Sequence, residues 1–110
     1  MKIVSLFISP AAKPHQMAVI TTVQTEKGLM AYAVDPVTMT TLVSRRVDGL
    51  YEVAAVIYEV ANGGVPPVGD PFPGVPVGPR GLPEIVQYAT RDLWAAFHHA
   101  NERALRTHGP

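Results

Sequence analysis

Apolar and polar positions change rhythm several times along this chain, and each change marks a boundary between elements. From Lys2 to Ser9 most positions are apolar (Ile3, Val4, Leu6, Phe7, Ile8), which predicts a strand buried on both faces and therefore central in a sheet. Pro10 ends it, and Ala11 to Gln16 form a connection. From Met17 to Thr25, Val19, Thr21 and Val23 alternate with Ala18, Ile20 and Thr22, a β-branched pattern that predicts a second strand. Glu26-Lys27-Gly28 reads as a hairpin loop in which Gly28 supplies the left-handed residue, and Leu29 to Val34 returns as a third strand. Asp35-Pro36 is a turn. Asp35 before Pro36 also suits a helix start. The threonines and valines from Thr38 to Val47 nevertheless favour extended structure, so a fourth strand is predicted there.

The period then becomes helical. Over Asp48 to Asn62, Leu50, Val53, Ala54, Ile57 and Ala61 line one side, while Glu52, Glu59 and Asn62 share a face that reads as solvated. Asp48 is suited to cap this helix and Asn62-Gly63-Gly64 to stop it. A second helix is predicted over 84–108, opened by Pro83 and Glu84, with Val86, Ala89, Leu93, Phe97, Ala100 and Ala104 as its apolar stripe. At ~1.5 Å per residue it would span roughly 35 Å, enough to overhang a domain of this size and meet a partner.

Between the helices, Gly63 to Pro83 holds seven of the eleven prolines and six of the nine glycines, so it is neither helix nor central strand. Val65, Val68, Phe72, Val75, Val77 and Leu82 give it apolar surface that a flexible tether would lack. It is expected to be an ordered arm, with Phe72 buried against the final helix near Trp94 or against a second subunit. The expected fold is therefore α+β, one domain over 1–110. A three- or four-stranded antiparallel sheet (1–47) carries two helices on one face as a two-layer sandwich, with the arm (63–83) crossing between the helices.

Composition narrows the function. Charged residues make up 16 % of the 110 and cancel to a net charge of zero, so little repulsion keeps copies apart and association is expected. The absence of cysteine excludes disulfides, thiolate catalysis and cysteine-based metal sites. The run Ile3 to Ile8 is too short for a signal segment, and no stretch approaches a membrane span, so a soluble cytoplasmic protein is expected.

No acid, base and nucleophile set stands out, and no catalytic residue, metal or cofactor is assigned. His98 and Glu102 share a helix face, but no third ligand falls at a defined spacing. Phe72, Val75, Trp94 and Phe97 are the residues expected to contact a partner, Trp94 because aromatic anchors are favoured at interfaces. A small enzyme or ligand-binding domain would instead use a pocket under the arm, with His15, Asp70 and His98 as polar groups. Asp70 also suits a plain turn role ahead of Pro71. Arg45 and Arg46, with Lys13, Lys27 and Arg80, are the only candidates for a nucleic-acid surface, and the balanced charge argues against one.

From Met17 to Pro67, the order of a β-hairpin meander, an acidic helix and a Gly/Pro stretch resembles the layout of the HicB-type antitoxin domain. The Pro-Gly-Cys-like segment after that family's third strand has no counterpart here, where Asp35-Pro36-Val37 stands in its place. No DNA-binding tail follows, and no functional residue is carried over. The resemblance implies an antitoxin-like regulator. The residues themselves favour a non-catalytic interaction or regulatory subunit, working as a homo-oligomer, with an accessory protein of a mobile element as one setting.

Overall fold

A computed structural model describes residues 2–78 and 81–108, with side chains as far as residue 99. The elements are β1 (Lys2–Pro10), β2 (Met17–Thr25), β3 (Gly28–Asp35), β4 (Thr40–Val47), a short 3-10 turn (Leu50–Glu52), α1 (Val53–Ala61), β5 (Gln87–Tyr88) and α2 (Arg91–His108). All strands are antiparallel and ordered β4-β3-β2-β1-β5. This is an α+β fold with five strands, one more than the largest sheet expected. Among the described residues no helix is long and apolar enough to cross a membrane.

Local chemistry sets the connections of the meander. Thr25 pairs with Gly28 across a two-residue turn, and Gly28 takes φ 115°, a backbone conformation that a side chain would strain. At the β3–β4 turn, Asp35 Oδ1 accepts the Val37 N–H at 2.9 Å and the Asp35 carbonyl accepts the Met39 N–H at 2.8 Å. Gln16 Nε2 donates to Asp35 Oδ2 at 3.0 Å, tying the β1–β2 connection to that turn.

Pleating sorts the side chains onto two faces. Phe7, Ala18, Ile20, Ala31, Ala33, Val43 and Val47 share one, and α1 covers it with Val53, Val56, Ile57 and Val60. Each fully buried aliphatic among these contributes about 1.5–3 kcal/mol. The opposite face carries Ile3, Leu6 and Val19, and there Leu93, Trp94 and Phe97 of α2 pack, with Ala89 before the helix. The helices thus lie on opposite faces of the sheet. The expected two-layer arrangement is corrected to helix, sheet, helix, because β1 and β2 are apolar on both sides and each side needs a cover.

Both helix starts also differ from expectation. Thr90, not Pro83, caps the last helix: its Oγ1 accepts the Leu93 N–H at 3.2 Å. Residues 84–90 give up the helical period because Gln87 and Tyr88 pair with Ile8 and Phe7. Asp48 caps nothing with its side chain. Its N–H instead donates to Glu52 Oε1 at 3.2 Å, and Gly49 precedes the 3-10 turn. The stop at Asn62-Gly63-Gly64 is a Schellman motif, with Gly64 N–H on Glu59 O at 2.9 Å and Gly63 N–H on Val60 O at 3.2 Å.

The arm folds back on itself through Glu84 N–H to Pro76 O (2.9 Å) and Gly78 N–H to Leu82 O (2.8 Å). Phe72 is buried, but against α1: its ring meets Tyr58 edge-on, with centroids 5.4 Å apart. The expected contact with Trp94 is replaced because Trp94 packs on the other face of the sheet. Val75 and Leu82 are half-buried, whereas Val65, Val68 and Val77 face solvent.

Candidate docking cleft

β5 runs beside β1 for only a short way. It pairs with Phe7 and Ile8, Ala89 N–H donates to Leu6 O at 3.1 Å, and the chain then turns at Thr90 into α2. Residues Lys2–Ser5 of β1 therefore have no strand on that side among the described residues. A bulge between Ile3 and Ser5 leaves Val4 without an opposite number in β2. Bulges of this kind re-aim a side chain, and Val4 joins Ser5 and Phe7 in lining a cleft.

The cleft has a volume of about 360 Å³, and Leu50, Tyr51, Leu82 and Tyr88 complete its lining. The 3-10 turn puts the first two there. With Glu52 N–H closing on Gly49 O at 3.2 Å, Leu50 and Tyr51 project outward, 50 % and 80 % exposed. Leu82 comes from the returning arm, and Tyr88 tilts over Phe7 with ring centroids 4.8 Å apart. Among the described residues no charged side chain lines the cleft. Its one aliphatic hydroxyl, Ser5 Oγ, is buried with no hydrogen-bond partner among the described residues, as are Thr21 Oγ1 and Thr22 Oγ1 outside the cleft. Leaving a buried hydroxyl unpaired costs roughly 1–3 kcal/mol, which an incoming hydrogen-bonding group would recover. Among the described residues no imidazole, carboxylate or amine stands in the lining beside Ser5.

A second cleft of about 330 Å³, lined by Arg45, Ala55, Tyr58, Glu59, Pro66 and Pro67, is already occupied in the chemical sense. Arg45 makes a bidentate ion pair with Glu59, Nε to Oε2 at 3.1 Å and Nη2 to Oε1. Glu59, expected on a wet helix face, is buried. It faces the sheet because β4 supplies the guanidinium that makes its burial tolerable.

The residues singled out in the sequence disperse. Phe72 and Val75 pack around α1, and Trp94 and Phe97 around Ile3, Leu6 and Val19, so all four are engaged within their own chain. Asp70 Oδ1 accepts the Phe72 N–H at 2.8 Å, the turn role. His15 is exposed in the β1–β2 connection with φ 61°, and His98 is exposed on α2, across the sheet from the arm. None of the three lines the cleft. Arg45 faces α1 and its strand neighbour Arg46, opposite Met30, faces the other way, so the two do not form one basic patch. Arg80 and the side chain of Glu102 lie outside what the structure describes. Among the described residues no three His, Asp or Glu side chains converge. Hydrogen bonds from Gln16, then from the Val37 and Thr38 backbone, hold the exposed Asp35 carboxyl below the ordinary carboxylate range. This is a turn-stabilising effect rather than a site.

Sequence reasoning missed Val4, Ser5, Leu50, Tyr51 and Tyr88. The only sequence signal was a pair of large apolar residues, Leu50-Tyr51, ahead of the helix proper. Comparison with protein-family models, curated proteins and solved structures finds no match to this chain.

Proposed function

We propose that this protein is a non-catalytic interaction subunit that associates with itself through the cleft between β1, the 3-10 turn and the arm. One observation carries the reading: Val4, Leu50, Tyr51 and Tyr88, all exposed, surround a single cleft whose described lining carries no charge. Exposed apolar side chains scattered singly need no explanation, whereas a cluster built around two tyrosines is the composition of a binding surface. The balanced, sparse charge of the chain adds no repulsion between copies.

Sedimentation velocity over a range of concentrations tests this. The wild-type protein is expected to dimerise below about 0.1 mM, and Tyr51→Glu to remain monomeric there, because a carboxylate cannot be desolvated in an apolar seam. Val68→Glu, at a fully exposed arm position outside the cleft, is expected to behave as wild type. A wild-type monomer at about 0.5 mM, or a Tyr51→Glu protein that associates unchanged, would sink the reading.

A further inference from the structure

Three features of β1 say how a second copy would sit. Its ladder to β5 stops at Leu6, so the backbone of Lys2–Ser5 runs along the cleft as an open sheet edge. Edge N–H and C=O groups are a template for another strand. Beside that edge, Ser5 Oγ is buried with no hydrogen-bond partner among the described residues. An apolar cleft alone accepts any apolar group. An open edge calls for an extended backbone, which brings its own donors and acceptors. The bulge turns Val4 into the cleft and confines the usable edge to a short segment.

Charge selects which strand arrives. β4, the other outer strand, carries Arg45 and Arg46 and a register irregularity against β3, features that discourage pairing. The β1 segment carries only Lys2, at one end, followed by Ile3, Val4 and Ser5. Antiparallel self-pairing about Ile3 sets Ile3 against Ile3 and Lys2 against Val4, residues that share a face, so no like charges meet. Parallel pairing would bring the lysines together. Pairing β1 of one copy with β4 of the next would leave free edges at both ends and grow without closing.

We infer, resting on the self-association proposed above, that the cleft takes a second copy of this chain by strand addition. Lys2–Ser5 of each copy pairs antiparallel with the same segment of the other across a two-fold axis, joining two sheets into one. The incoming strand meets the open backbone edge beside the cleft.

Hydrogen exchange and sedimentation on the full chain test the arrangement. Raising the concentration through the dimerisation range is expected to slow the Ile3–Ser5 amides about ten-fold or more while Thr41–Ser44 stay unchanged. Val4→Pro puts into the edge segment, at a bulge position that tolerates proline, a ring that obstructs an incoming strand, and is expected to weaken dimerisation roughly ten-fold with little change in melting temperature. Should Val4→Pro unfold, Val4→Lys replaces it: the new lysine set against Lys2 of the other copy is expected to weaken the dimer similarly, less so at high salt. If Tyr51→Glu dissociates the dimer while both Val4 variants and the Ile3–Ser5 exchange are unaffected, strand addition is overturned and self-association through the cleft stands. A protein monomeric throughout overturns both. Mass that keeps growing past the dimer overturns the two-fold arrangement.

Discussion

Glu59 is 4 % exposed on α1, and Arg45 of β4 meets both of its carboxylate oxygens. The two partners are unequal, because half of the Arg45 side chain remains in solvent. Part of the attraction is therefore screened, and the pair is worth less than a fully enclosed one. Its removal is still asymmetric. Arg45→Met strands a buried carboxylate and is expected to cost about 1–3 kcal/mol in urea unfolding. Glu59→Leu with Arg45→Met removes both polar groups and should recover much of that loss. A double variant no more stable than Arg45→Met alone would show that the pair is not what holds Glu59 inside.

Among the elements, the arm is the most distinctive, and Phe72 is its anchor. The ring is buried against Tyr58 while three of the arm's valines face water, so the arm's apolar contact narrows to Phe72, Val75, Leu82 and the buried Pro83. Phe72→Ala is expected to destabilise the protein by about 3–5 kcal/mol, read from the urea midpoint. Limited proteolysis should then open the arm before the sheet. An unchanged midpoint would mean that the arm is docked by its backbone alone. The first four strands were legible in the sequence because period-two alternation and turn residues are local signals: Thr25 to Gly28 and Asp35-Pro36 announce their own geometry. β5 was not legible, because two residues have no period, and their extended state comes from pairing with Phe7 and Ile8 far away in the chain. The helices' opposite placement was encoded in the doubly apolar β1, yet no local rule says which helix takes which face. The cleft was invisible for a related reason. Ser5 reads as a strand residue until a bulge, a short β5 and a 3-10 turn are assembled around it.

At the scale of the molecule, the two faces of the sheet are unequally held. α1 closes over a large cluster drawn from four strands and the arm, whereas among the described side chains α2 rests on Ile3, Leu6 and Val19 with Leu93, Trp94 and Phe97, and Ala89 before it. Opening free energy follows buried contact, so α2 is the element that detaches without disturbing the rest. Native-state hydrogen exchange is expected to show amides of Ala95–Phe97 exchanging at least about ten-fold faster than those of Val56–Val60. Equal protection at the two helices would mean that the faces unfold as one unit.

The short ladder between β1 and β5 also carries a consequence for the order in which the chain assembles. β1 to β4 form a chain of neighbouring hairpins whose contacts are local, while Phe7 waits for Tyr88 near the other end of the sequence. Closing that long loop costs more entropy than any turn of the meander. During synthesis the meander emerges first, and the β1 edge stays fully open until the ribosome has released the C-terminal third. Crowded polysomes would hold many such edges side by side, so the strand proposed above to seat a partner is also the one most exposed to mispairing at birth.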